Sequence, residues 1–176
     1  MQDGIVRGNN RAIIRVTPTL TAASAYASGD VLFTATEIPN AVLGNGGCSK
    51  LLSFFVLDQA KQTFDAQFYF SENNTALGTR DATANISDAD MEAIGFNSMC
   101  FLDASEGATG AQIDNMRIHE AVRSLTAADN RYPMGDGLLL QAASDSTSVY
   151  VQAVLVSATT PTYAADDIDL ILHLEG

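Results

Sequence analysis

Few side chains in this chain have the types and spacing that catalysis requires. The two histidines, His119 and His173, stand far from each other in the sequence, and no GxSxG elbow or HExxH pair accompanies them. Catalysis by a histidine needs a nucleophile and an orienting acid close to it. We therefore expect both histidines at the surface or at an interface, and we predict no catalytic residue and no enzymatic activity.

Two groups of carboxylates contain enough oxygen atoms to consider a cation site. Neither group has the ligand spacing of a calcium-binding loop. The sequence therefore predicts solvated acidic loops, with no metal site and no cofactor. The first group is Asp88 with Asp90, and the second is Asp166, Asp167 and Asp169.

The two cysteines, Cys48 and Cys100, lie in or beside apolar runs, and neither has a CxxC partner. Thiolate metal binding is therefore not expected. The chain starts without a basic-then-apolar leader, which favours synthesis in a cytoplasm and two reduced core cysteines. A disulfide between them stays open, because pairing depends on geometry that the sequence does not give.

Basic residues are concentrated at the amino end of an otherwise acidic chain. The formal net charge is −12, yet Arg7, Arg11 and Arg15 supply three of the nine Lys and Arg residues within the first fifteen positions. An acidic surplus argues against nucleic acid as a partner, because binding to phosphates needs clustered cations. No apolar stretch is long enough to span a membrane. A basic end that docks on an acidic partner is one interpretation; plain solubility is the other.

The elements that must position these residues are predicted to be β-strands. In the last ten residues Ile168, Leu170, Leu172 and Leu174 share one face, a period of two that is typical of a half-buried strand. Similar runs at 11–17, 31–36, 50–58, 64–70, 96–102, 137–143 and 148–156 bring the count to eight or nine strands. Ser87 is predicted to cap one short helix. The pattern indicates an all-β, antiparallel sandwich of jelly-roll or Greek-key type.

The chain is long enough for one domain, with an N-terminal arm over residues 1–10 and a single sandwich over 11–176. Within it, 50–58 and 64–70 are expected to pair as a hairpin across the turn at 59–63. The runs 51–57 and 149–156 are apolar on both faces, so a helix, a long loop or another copy of the chain must cover the second face. A homo-oligomer follows as a hypothesis.

Several stretches, in order and spacing, resemble small decoration (cement) proteins on the heads of tailed bacteriophages. Together they span from about residue 15 to residue 174, although 120–133 departs from the pattern. The stretches are 16–20 (VTPTL), 25–32 (AYASGDVL), 51–62 (LLSFFVLDQAKQ), 70–75 (FSENNT), 87–90 (SDAD), 150–156 (YVQAVLV), 160–163 (TPTY) and 167–170 (DIDL).

This resemblance implies a structural virion protein on the outer surface of an icosahedral phage head, made in the host cytoplasm. It implies a β-sandwich, commonly a homotrimer although a dimer is possible, that binds the major capsid protein and stabilises capsomer contacts. Arg7, Arg11 and Arg15 are the candidate capsid contacts.

Two other classes of function stay open. One is a jelly-roll module of a phage fibre or tail that binds a receptor or carbohydrate, with Tyr26, Tyr132 and Tyr163 as candidates to stack on sugars. The other is an enzyme such as a hydrolase on a β-sandwich, which the sequence does not favour.

Overall fold

The computed structural model describes residues 5–8, 10–103, 110–113, 115–121, 136–156 and 159–176, with the backbone alone for 5–8 and 110–113. Strands dominate this part of the chain, and one short helix interrupts them. The elements are β1 (Ile5–Gly8), β2 (Arg11–Val16), β3 (Val31–Ile38), β4 (Cys48–Asp58), β5 (Asp65–Ser71), α1 (Asp88–Ala93), β6 (Phe96–Asp103), β7 (Gly110–Ile113), β8 (Met116–Glu120), β9 (Leu138–Gln141), β10 (Val149–Leu155) and β11 (Ile168–Glu175).

The strands form two antiparallel sheets packed face to face. One has four strands in the order β3-β10-β5-β6. The other has seven, in the order β1-β2-β11-β4-β8-β7, and β9 shares the β8 side of β4. Successive strands from β2 to β5 alternate between the sheets, and β2 pairs with the last strand, β11. This connectivity is that of a jelly roll, so the predicted all-β sandwich is confirmed.

Short strands lie at both ends of the seven-stranded sheet. Of the eleven strands in the described residues, β1 and β7 are four-residue strands at these ends, and the other nine form the body of the sandwich. Residues 5–8, inside the predicted N-terminal arm, thus pair with β2 through a turn at Asn10, which has a left-handed φ of 65°. Asparagine tolerates that conformation better than most residues.

The expected hairpin between 50–58 and 64–70 is wrong. The two strands belong to different sheets: β4 pairs with β11, β8 and β9, whereas β5 pairs with β10 and β6. The connection after Asp58 therefore crosses from one sheet to the other. A short polar link between two apolar strands can form either a hairpin within one sheet or a crossing between two sheets. Which of the two forms depends on the strands that pair with each of them.

The core lies between the sheets and is built from the alternation read in the sequence. Ile168, Leu170, Leu172 and Leu174 are all buried, as predicted for β11. Phe54 of β4 meets Phe68 of the opposite sheet edge to face, with ring centroids 4.9 Å apart. Such aromatic pairs add about 0.5–1.5 kcal/mol beyond the burial of their area, so this contact helps to fix how the sheets sit on each other.

The outer face of the four-stranded sheet is covered over β10 by the chain itself, while Phe96 and Met99 of β6 stay 45% and 40% exposed. Residues 72–94, which we call the covering layer, include α1 and place Leu77 and Ile94 against Val154. Gln152 anchors this layer from β10, because its side chain accepts from the Leu77 amide and donates to the Thr75 carbonyl, each at 2.9 Å. The second apolar face of 149–156 is therefore covered by a loop and a helix of the same chain.

The two ends of α1 show why this short helix forms. The Ser87 hydroxyl accepts from the Asp90 amide at 3.1 Å, the cap that the sequence predicts. Gly95 follows the helix with a φ of 63°, and a Cβ there would lie 2.9 Å from the Cβ of Glu72. Glycine is required both for that backbone angle and for the close approach.

Candidate functional site

The outer face of the seven-stranded sheet is open over much of its area. Directly opposite residues of antiparallel strands share a face, so the strand register arranges its side chains in rows. One outward row, with Asp169 and Leu57, is buried, and three neighbouring rows form an open surface. We call this surface the arginine face. Its rows are Arg11, Glu175, Lys50 and Leu139; Ile13, His173 and Ser53; and Arg15, Ile171, Phe55 and Glu120.

Cations on the arginine face differ in how far they are neutralised. Arg11 donates to Glu175 at 2.9 Å, with most of its side chain in solvent. Within the part of the chain that the structure describes, Arg15 and Lys50 have no ion pair. An exposed pair such as Arg11–Glu175 contributes only about 0.2–1 kcal/mol to stability. Exchanging it for a contact with another molecule therefore costs the fold little.

The predicted contact residues Arg7, Arg11 and Arg15 are only partly brought together. Arg11 and Arg15 flank Ile13 at a spacing of two residues, so all three lie on one face of β2. The register places Arg7 opposite Ala12, a position on the other face of the ladder. The arginine face thus includes two of the three predicted arginines, and sequence analysis did not identify Lys50 as part of it.

Apolar side chains lie among these charges. Ile13 is 39% exposed and Leu139 is 59% exposed, while Phe55 and Ile171 between them are half-buried. His173 is also half-buried, and its Nδ1 lies 2.8 Å from the Ser53 hydroxyl oxygen. The prediction of a surface position for His173 agrees with its place on this face. A mixture of apolar and charged groups is typical of protein-binding surfaces.

The two outer sides of the sandwich differ in charge. The arginine face has Arg11, Arg15 and Lys50 against Glu120 and Glu175. The covering layer has one base, Arg80, against five acids: Glu72, Asp81, Asp88, Asp90 and Glu92. The arginine face is therefore slightly basic on a strongly acidic molecule.

A second group of polar side chains lies inside the sandwich. We call Asp58, His119 and Tyr163 the buried polar cluster; each is at most 2% exposed. The Phe64 ring packs edge to face on both aromatic members, with centroids 5.7 Å from His119 and 5.9 Å from Tyr163. No side-chain polar atom of the three has a hydrogen-bond partner among the described residues.

Burial shifts the proton affinity of all three groups. It raises the pKa of Asp58 to about 6, although the amides of residues 60–62 and the charge of Arg117 act in the opposite direction. These amides lie outside normal hydrogen-bond geometry with the carboxylate. Burial, followed by the charge of Arg117, lowers the pKa of His119 to about 4. Burial, with the nearby charge of Asp58, raises the pKa of Tyr163 above its ordinary value.

The cluster corrects two sequence-based expectations. His119 is 1% exposed, so a surface position for it is wrong. The strand register explains this, because His119 lies opposite Val56 on the inner face of β4. The sequence pattern could have placed Asp58 in the core, because Asp58 continues the inward-facing alternation of Phe54 and Val56. With all polar atoms shielded from solvent, the cluster is closed to a substrate in this structure.

The predicted acidic groups have local structural roles. Asp90 accepts from the Ser87 hydroxyl, and Asp167 accepts from the Ala164 amide. Asp169 is buried at 3% exposure and accepts from the Thr17 hydroxyl, so a solvated position is wrong for this residue. In the described ranges, no group of three or more His, Cys, Asp or Glu side chains is arranged to hold a metal ion.

The cysteines are both free thiols, but only Cys100 lies in the core. Burial raises its pKa above the ordinary value. Cys48 is exposed at the start of β4, in the wall of a surface pocket, and the expectation of a core position is wrong for it. The alternation of β4 explains this, since Cys48 and Lys50 share the outward phase.

Two of the three tyrosines considered for sugar stacking are inaccessible. Tyr26 and Tyr163 are buried, with ring centroids 6.2 Å apart, and the Tyr26 hydroxyl accepts from the Thr21 amide at 2.7 Å. Their assignment as exposed stacking platforms is wrong. Tyr132 lies outside the described residues. The described helix, α1, has six residues and is too short to cross a membrane.

Comparisons of the chain with models of protein families, with curated proteins and with solved structures found no match.

Proposed function

We propose that this protein is a structural virion protein, a decoration or cement protein that binds the outer surface of an icosahedral phage head. The observation that carries the proposal is the contrast between the two sheets. The acidic covering layer packs on β10 of the four-stranded sheet, although Phe96 and Met99 of β6 stay exposed beside it, whereas the arginine face presents Ile13 and Leu139 together with Arg15. This asymmetry suits a body that binds through one side.

The resemblance in the sequence supplies the class of partner, the major capsid protein. Arg11 and Arg15 are the proposed contacts on the arginine face, whereas Arg7 holds a register position on the other face of the ladder. On the head the protein acts as a homo-oligomer, with a trimer favoured. The acidic covering layer then points away from the shell and keeps decorated heads apart by mutual repulsion.

The stabilising mechanism is mass action. A protein that binds the assembled shell, and not its separated subunits, stabilises the shell by the free energy of binding at each occupied site. At a free concentration one hundred times the dissociation constant, that amounts to about 2.7 kcal/mol per site. Repetition over the many equivalent sites of an icosahedral shell makes modest contacts effective.

The test is co-sedimentation of the purified protein with heads that lack decoration. We expect saturable binding and a higher temperature of DNA release, which a dye that binds DNA reports. The double substitution R11Q/R15Q should weaken binding, whereas R80Q on the covering layer, which also removes a positive charge, should not. Absence of binding to heads, together with binding to glycans, would replace the proposal by the fibre or tail module.

A further inference from the structure

The rows of the arginine face are self-complementary. Consider a two-fold axis that lies in the plane of the face, parallel to the strands, between β11 and β4. This axis keeps each row in register and exchanges its two ends. It brings Arg15 to Glu120 of a second copy and Glu175 to Lys50 of that copy.

The same operation matches the uncharged positions. Ile171 meets Phe55 of the second copy, and His173 meets Ser53. An in-plane axis perpendicular to the strands would instead exchange the first and third rows and place Arg11 against Arg15. Of the two axes, the one parallel to the strands therefore pairs opposite charges and packs Ile171 on Phe55, and it leaves Arg11 opposite Leu139.

From this geometry we infer that, in the free protein, the arginine face is covered by a second copy of the same chain. The dimer is two-fold symmetric, with the strands of the two faces running in nearly the same direction. Aligned sheets pack about 10 Å apart and about 30° from parallel. The pairs nearest the axis meet directly, and the long side chains of Arg15 and Glu120 span the larger displacement farther out.

The size of the face makes this association reversible. Four strands about 4.8 Å apart and three rows about 6.8 Å apart give a contact of about 400 Å² on each copy. A standard stable interface buries about 800 Å² on each partner. The dimer is therefore weak and transient, and it shields Ile13 and Leu139 without closing the face permanently.

The inference rests on the proposed function in one respect: the shell and the second copy use the same face. Dimerisation then competes with binding to the head. Free protein is kept soluble by self-pairing, and the many sites of a shell displace the second copy by mass action.

Sedimentation velocity of the intact protein over a wide concentration range tests the dimer. We expect a monomer–dimer equilibrium that shifts to monomer in high salt. R15E and E120R should each weaken dimerisation about tenfold or more, because each replaces two attractive contacts by two repulsive ones. The double variant R15E/E120R should restore it, and the control R80E should leave it unchanged.

A second pair keeps the test decisive if a variant folds poorly. K50E should weaken dimerisation, and K50E/E175K should recover it, with folding checked by circular dichroism. A protein that stays monomeric at every concentration, or charge-swapped pairs that stay dissociated, overturns the inference. Binding to heads is measured separately, so a monomer that still binds heads refutes the dimer alone, and a dimer that binds no heads refutes the proposed function alone.

Discussion

The substitution Asp58→Asn should make this protein more sensitive to acid than the wild type. In the folded state, burial raises the pKa of Asp58 from 3.8 to about 6. As pH falls from 6 to 3.8, the folded protein therefore binds a proton at Asp58 before the unfolded chain does. Stability from Asp58 therefore increases as pH falls towards 3.8. For His119, burial lowers the pKa from 6.5 to about 4, and stability from His119 is lost as pH falls through the same window.

The two contributions nearly cancel in the wild type. One pKa unit corresponds to 1.36 kcal/mol, so each shift of roughly two units is worth at most about 3 kcal/mol. Relaxation of the surrounding structure and water penetration reduce the cost of a buried charge, and we expect about 1–2 kcal/mol from each group. With Asp58 replaced by Asn, only the His119 contribution remains, and stability falls by that amount between pH 6.5 and pH 4.

Urea unfolding followed by circular dichroism at a series of pH values measures this directly. His119→Phe should show the opposite slope, since Asp58 alone then remains. Asp88→Asn, at an exposed carboxylate on α1, is the matched control and should follow the wild type. At pH 7 Asp58→Asn should also be more stable than the wild type, because it removes a buried charge. If the stability of Asp58→Asn falls no more steeply with acid than that of the wild type, the reasoning is refuted.

Three further outcomes test the packing. Phe54→Ala should lower the free energy of unfolding by about 3–5 kcal/mol, whereas Phe96→Ala, at a side chain 45% exposed, should cost far less. Gln152→Leu leaves the buried Leu77 amide and the half-buried Thr75 carbonyl without their partner, so it should cost about 1–3 kcal/mol and speed hydrogen exchange at the covering layer. A thiol reagent should label Cys48 in the folded protein and Cys100 only after unfolding, as mass spectrometry of peptides reports.

Local patterns in the sequence were sufficient for much of the fold. The leucine row of β11, the outward Arg11 and Arg15 of β2, and the Ser87 cap are each visible in a window of fewer than ten residues. Alternation and capping depend on neighbours along the chain, so they survive without knowledge of the partners. Two arginines on one face of β2 were predictable for this reason.

Tertiary structure decided which strands meet and which groups are enclosed. The residues around Asp58 do not distinguish a crossing between sheets from a hairpin, because the backbone of a strand can pair with any strand of suitable length and phase. Lys50 joins the arginine face, and His119 enters the core, only through the register of β4 with β11, β8 and β9. The sequence determined the two-sided character of each strand, and the packing of the two sheets decided which side meets water, because burial is a property of the assembled layers.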